Sequence, residues 1–307
     1  MTRHFRTLAD LGPDGLLRVL DRAVELKRLR GTPEHPRPLA GRTVAILLEK
    51  ASTRTRISFE VGVHELGGHP LTLAARDTQL GRGEPLEDTA RMFSRYCHAV
   101  VYRTFGHDRI EALARVSTIP IINGLSDQYH PCQLLADLMT VREHVRPGLE
   151  GVRVAWLGDG NNMAHSWILA AGLTGLRLTL ACPEGYRPDE AVVEQGRALG
   201  RGHISVTDDP DEAVRGADVV TTDVWASMGQ EAERAARLRA FERFGVTAAR
   251  MGAAAPGAIF LHCLPAHRDE EVEAAVMDGP ASRVWDQAEN RLHAQKALLE
   301  ALAGDGG

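Results

Sequence analysis

Seven short β-rich runs recur along the chain, each separated from the next by a helical stretch, a turn or a loop. This alternation restricts the fold more than any other feature. The runs are "TVAILL" (43–48), "AVVYR" (99–103), "IPIIN" (119–123), "RVAWLG" (153–158), "LRLTLA" (176–181), "ADVVTTD" (217–223) and "AIFLHC" (258–263). All read as buried strands, and strands separated by helices need crossover connections, which implies parallel sheets. The gap near "RPGLEG" (146–151) divides the alternation into halves of similar length. The expected architecture is therefore α/β, with two similar-sized domains, 1–145 and 146–307, each a parallel sheet flanked by helices. Interdomain helices join them: one starts near His130, and a last one, about 286–303, can pack on either domain. An opening helix is marked by Leu16, Leu20 and Val24, with Pro13 near its first turn.

At 307 residues the chain accommodates two ordinary domains, and its 44% hydrophobic and 25% charged shares are those of a globular protein. No apolar stretch approaches the roughly 20 residues that span a bilayer, and Met1 to Asp10 lacks the apolar segment of a secretory signal. A net charge of −5 argues against a nucleic-acid partner. Arginines number 33 against three lysines, so an isolated Arg carries little information. Cys97, Cys132, Cys182 and Cys263 lack CxxC spacing and read as reduced thiols of a cytoplasmic protein.

Ligands of open α/β sheets sit beyond the carboxyl ends of the strands, and the polar clusters of this chain fall at such ends. "STRTR" (52–56) follows the first run; it is an anion site at a helix start or an ordinary Ser/Thr helix cap. "YHPCQLLAD" sets His130 and Gln133 on one face of a first helical turn, either as a buried cap or as groups that polarise a carbonyl and hold an amide. "WLGDGNNMAHS" fails the dinucleotide fingerprint, because Met163 stands at the third glycine position and the next strand lacks an acidic end. Asn161 and Asn162 remain as turn formers or ligand-binding amides. Asp223 ends one strand, as an Asx turn or a ligand group, with Ser227 and Met228 in the loop beyond it. Cys263 ends another strand, and a lone cysteine there is more often a small buried residue than a nucleophile. "HELGGH" misses the zinc-protease HExxH by one position, and His262 and His267 lack an evident ligand partner, so no metal is expected.

The ordered series "EKASTRTR", "DTQLGRGEP", "INGLSDQYHPCQ", "GDGNN", "DVWASMGQE", "HCLPAHR" and "AENRLHAQKALL" resembles the aspartate/ornithine transcarbamoylase family over nearly the whole chain. Leu48 and Ala51 depart from the family's usual residues, at positions flanking the polar ones. The resemblance implies transfer of a carbamoyl group from carbamoyl phosphate to L-ornithine, giving L-citrulline, in arginine metabolism. It also implies a homotrimer with shared active sites and no metal or organic cofactor. Ser52, Thr53, Arg54 and Thr55 would hold the phosphate, and Gln79 would reach it across a subunit boundary. Arg103 and His130 would donate to the carbonyl oxygen, Gln133 and the Leu264 carbonyl would accept from the carbamoyl NH2, and Arg291 would add a donor. Asn162, Asp223, Ser227 and Met228 would hold ornithine, with Asp223 and Cys263 orienting its amine. Putrescine or an acylated ornithine as the acceptor, or a non-catalytic phosphometabolite-binding protein, are the competing readings.

Overall fold

The computed structural model describes residues 3–226 and 233–304. The chain divides into two compact units, one comprising residues up to Met139 together with those from Glu289 onward, the other Thr140–Ala288. It passes from one unit to the other within helix Pro131–His144 and returns within helix Val284–Ala303.

The first unit holds a four-stranded sheet of β1 (Thr43–Leu48), β2 (His69–Ala74), β3 (Ala99–Arg103) and β4 (Ile121–Leu125), in the order β2-β1-β3-β4. The second holds β5 (Arg153–Leu157), β6 (Arg177–Ala181), β7 (His203–Thr207), β8 (Val219–Thr222) and β9 (Ile259–His262), in the order β7-β6-β5-β8-β9. Every pairing is parallel, as the alternation of strands and helices predicts. The apolar runs follow from burial on both faces. Ala45, Leu47, Val100 and Tyr102 pack with Phe93, Ile110 and Leu113 in one cluster, while Val44, Ile46 and Val101, pointing the other way, are equally inaccessible. Each such aliphatic side chain contributes about 1.5–3 kcal/mol on burial. In the second unit Ala155, Leu157, Val220 and Phe260 pack with Phe244, Val246 and Met277.

Two strands, β2 and β7, are absent from the sequence reading. Both are edge strands, "HPLTLA" and "HISVT", with mostly half-exposed residues and in β2 a proline, so neither carries the apolar run of a central strand. The run at 119–123 sits two residues later than expected, because β4 keeps Gly124 within its span and leaves Pro120 outside. In helix Gly12–Leu29 the buried face is Leu16, Val19, Leu20, Ala23 and Leu26, whereas Val24 is exposed.

In both sheets the strand order reverses at an interior pair, β1 with β3 and β5 with β8, since each connection leaves toward opposite edges. A crevice opens beyond the carboxyl ends of such a pair. The turn after β5 leads into one of these crevices, and its glycines have backbone reasons of their own. Gly158 sits at φ +127°, and a Cβ on Gly160 would lie 2.1 Å from the Pro188 nitrogen and 2.4 Å from the Arg187 carbonyl carbon. Gly160 also donates its amide to the Tyr186 carbonyl at 2.8 Å. The resemblance of "GDGNN" to a dinucleotide turn thus comes from close main-chain approach. Gly160→Ala must move backbone and is expected to cost about 1–3 kcal/mol, whereas Gly148→Ala, with open space around it, should be near neutral; urea denaturation of both variants checks this.

Candidate functional site

In the first unit the register sets Leu48 of β1 level with Arg103 of β3. The segments that follow these two strands meet at the crevice. Ser52 is extended and caps helix Thr53–Glu65: its Oγ accepts from the Thr55 amide at 3.3 Å and donates to Thr55 Oγ1 at 3.0 Å. Arg291, from helix Val284–Ala303, donates from Nη2 to Thr55 Oγ1 at 3.2 Å and from Nη1 to Gln133 Oε1 at 3.1 Å. Gln133 in turn donates from Nε2 to Asp137 Oδ1 at 2.9 Å, which fixes the orientation of its amide. Ser52, Thr55, Arg291 and Gln133 therefore form one hydrogen-bonded chain.

Arg103, His130, Gln133 and Arg291 are all buried. Burial first, and then the guanidiniums of Arg291, Arg103 and Arg54, hold the His130 imidazole well below its usual 6.5. His130 is consequently neutral at pH 7, a neutral N–H donor in positively charged surroundings. Excess positive charge beside a helix N-terminus attracts an anion. A groove of about 730 Å³ borders it, lined in part by Ser52, Thr53 and Ile57, and by Arg56 and Arg76 with their acidic partners Glu60 and Asp77. Gln79 lies outside the hydrogen-bonded chain; it precedes the short turn Leu80–Arg82, where its carbonyl accepts from the Arg82 amide at 2.8 Å.

In the second unit β8 lies between β5 and β9, and Thr222 is in register with both Leu157 and His262. Asp223 and Cys263 therefore leave the sheet side by side, with Cys263 Sγ 3.1 Å from Asp223 Oδ1. The same carboxylate accepts from Asn161 Nδ2 at 2.9 Å and from the Val224 amide at 2.8 Å. Asn161 also caps helix Asn162–Thr174, its Oδ1 accepting from the Met163 and Ala164 amides. Of the two asparagines, Asn161 is thus the one that shapes the turn and orients Asp223, while Asn162 begins the helix. Ser227 and Met228 lie outside the described residues.

Leu264 adopts φ 61° ahead of a cis bond to Pro265, and its amide donates to His262 Nδ1 at 2.9 Å. The acidic partner that the sequence did not reveal for His262 and His267 is Glu271. This fully buried carboxylate lies 3.3 Å from His262 Nε2 and 3.6 Å from His267 Nδ1. Also unforeseen is the pair of Asp159 with Arg237, a buried arginine that lies over the Tyr186 ring, 4.9 Å from its centroid. Burial raises Asp159 to about 6 against the pull of Arg237, and the like charge of Asp223 adds to the rise. In an arginine-rich chain nothing local distinguishes Arg237 from its neighbours.

Among the described residues two groups have donor atoms within 4.8 Å of one another, Asp223 with His262 and Cys263, and His267 with Glu270 and Glu271. Protein partners already engage both: Asp223 holds Asn161, Val224 and Cys263, His262 Nδ1 holds the Leu264 amide, and Glu270 pairs with Arg234.

Residues 3–143 match the family model described as aspartate/ornithine carbamoyltransferase, carbamoyl-P binding domain, and residues 150–302 match its Asp/Orn binding domain. The chain is 59% identical over 300 residues to the ornithine carbamoyltransferase of Halorhodospira halophila, covering 98% of each chain. It is 56% identical over 306 residues to that of Acidothermus cellulolyticus, covering 98% of this chain and 97% of the relative. Among solved structures, the ornithine carbamoyltransferase from Pyrococcus furiosus superposes with a TM-score of 0.94 at 48% identity, covering 99% of this chain and 97% of that one. On both sequence and structure, the chain belongs to the aspartate/ornithine carbamoyltransferase family.

Proposed function

We propose that this protein is an ornithine carbamoyltransferase, moving the carbamoyl group of carbamoyl phosphate to the side-chain amine of L-ornithine to give L-citrulline and phosphate. The observation that carries the chemistry is the neutral His130 set among Arg54, Arg103 and Arg291 at the start of helix Thr53–Glu65. Charge and free amides favour a phosphate, and a carbonyl that gains negative charge is stabilised by donors already held in place around it. Full-length similarity to proteins named ornithine carbamoyltransferase supports ornithine as the acceptor.

Ser52, Thr53, Arg54 and Thr55 hold the phosphate through backbone and side-chain donors. Arg103 and His130 donate to the carbonyl oxygen as the tetrahedral intermediate forms. Gln133 Oε1 has a second lone pair beside the one Arg291 engages, and with it accepts from the carbamoyl NH2. The Leu264 carbonyl does the same, while Arg291 adds a donor. Ornithine's α-ammonium meets Asp223, its α-carboxylate meets Asn162, and Ser227 and Met228 complete its pocket. Only the neutral side-chain amine attacks, and an alkylammonium has a reference pKa of about 10.4. Asp223 and Cys263 orient it, and the departing phosphate takes up the proton. Cys263 positions the amine without a covalent intermediate.

The protein works as a cytoplasmic homotrimer in arginine metabolism. No helix among the described residues is long and apolar enough to cross a membrane, and the four cysteines form no disulfide among the described residues, which suits a reducing compartment. Ile57 is 53% exposed beside Ser52, at the border of the groove. An apolar side chain beside an anion site is well placed to be covered by a neighbouring subunit, which then contributes its Gln79.

A citrulline assay with carbamoyl phosphate and ornithine, putrescine or an acylated ornithine tests the reaction. Ornithine should lead in kcat/KM by at least about tenfold, because a buried polar group left without its partner costs roughly 1–3 kcal/mol; a preference for either analogue removes the ornithine assignment. Arg54→Ala should weaken carbamoyl phosphate binding at least about tenfold by calorimetry, since charged hydrogen bonds contribute about 1.5–3 kcal/mol. Mixing Gln79→Ala with Arg103→Ala subunits should restore some activity once exchange is demonstrated, as some sites then assemble from two unmutated surfaces. Hybrids as inactive as both parents would mean that each chain completes its own site.

A further inference from the structure

Arg103 stands at an irregularity in its strand. Tyr102 pairs with Asn123 but Arg103 pairs with Leu125, so the β3–β4 register shifts between them and Gly124 is left over. Such a bulge redirects a side chain and gives up local ladder bonds. A Cβ on Gly124 would meet Val101 Cγ1 at 3.2 Å and the Tyr102 carbonyl at 3.4 Å, so the strands close tightly over the extra residue. A long guanidinium side chain rooted at a weakened strand end needs its backbone held from elsewhere.

Glu49 and Arg109 supply that hold. The Glu49 amide donates to the Arg103 carbonyl at 2.9 Å. The Glu49 carboxylate accepts from the Thr104 hydroxyl and from Arg109 twice, Nη2 to Oε1 at 2.5 Å and Nε to Oε2 at 3.1 Å. Arg109 Nε also lies 3.2 Å from both the Tyr102 hydroxyl and Thr104 Oγ1. Both residues flanking Arg103, and its own carbonyl, are thereby tied to one ion pair. Glu49 is mostly buried and Arg109 about one-third exposed, with side-chain exposures of 12% and 35%. Fork-to-fork geometry makes the pair directional as well as attractive.

We infer that Glu49 and Arg109 are positioning residues, which aim the Arg103 guanidinium at the carbonyl oxygen of the bound carbamoyl group by bracing the bulged end of β3. On this reading both act through Arg103, Arg109 from outside the groove that Glu49 and Ser52 line. The inference rests on the transferase reading, in which Arg103 donates to that oxygen. Glu49 stands three residues before the phosphate-holding Ser52, so the same pair also ties the end of β1 to that of β3.

The test is a double-mutant cycle on kcat with Arg109→Leu, Arg103→Ala and the combination, all in the full-length protein with ornithine and carbamoyl phosphate. Arg109→Leu should lower kcat roughly ten- to a hundredfold, the scale of a misplaced catalytic group, with both KM values within about threefold of wild type. In the Arg103→Ala background the same substitution should change kcat less than about twofold, because groups acting through one another are not additive. Arg109→Lys, which keeps the charge but not the fork, should fall between Arg109→Leu and wild type, and it replaces Arg109→Leu in the cycle if the latter does not fold. Losses that multiply, an unchanged kcat, or a change confined to KM overturn the positioning role. A wild-type protein that forms no citrulline instead overturns the transferase reading on which it rests.

Discussion

The parallel pairing of β1 with β3, and of β5 with β8, is the constraint on which the polar clusters of the two units each depend. Connections leave these strands in opposite directions, so no crossover segment covers the space beyond their carboxyl ends. Side chains at the strand ends, and amides at the starts of the following helices, reach that space together. Ser52 with Arg103 in one unit and Asn161 with Asp223 in the other occupy the same topological position. Register then sets the fine spacing: Thr222 level with His262 is what brings the Asp223 carboxylate and the Cys263 thiol within 3.1 Å.

The electrostatics follow from burying polar groups at those ends. Three arginines bear on His130, and a fourth cation among them would be repelled and poorly solvated, so the imidazole stays neutral. Three hydrogen bonds offset part of that burial: Arg291 donates from its two terminal nitrogens to Thr55 and Gln133, and Gln133 donates from its own to Asp137. In the second unit the problem is inverted. Asp159 and Asp223 are like charges beyond the ends of the neighbouring strands β5 and β8, and Arg237 and Asn161 each engage one of them.

Some of this was legible beforehand for identifiable reasons. Strands buried on both faces, such as "TVAILL" and "RVAWLG", carry their identity in composition; "HPLTLA" and "HISVT" do not, because most of their residues are half-exposed, unlike those of the buried edge strands β4 and β9. "STRTR" could be read as a helix start because Ser and Thr cap locally, within three residues. His262 seemed to lack a partner because its carboxylate, Glu271, lies on a separate segment that tertiary folding returns to the strand end.

The sequence by itself determined the parallel α/β architecture in two halves, through apolar runs interleaved with helices, and it placed the polar clusters at strand ends. Those are local properties of pattern, set by backbone geometry and burial. Strand order, and with it the crevice-forming pairs, was decided only in three dimensions, as were the neutral state of His130, the brace of Glu49 and Arg109 on Arg103, and the choice of Asn161 over Asn162 as the residue that orients Asp223. Each depends on groups tens of residues apart meeting at one place, and a solvated chain of the same composition contains no such meeting.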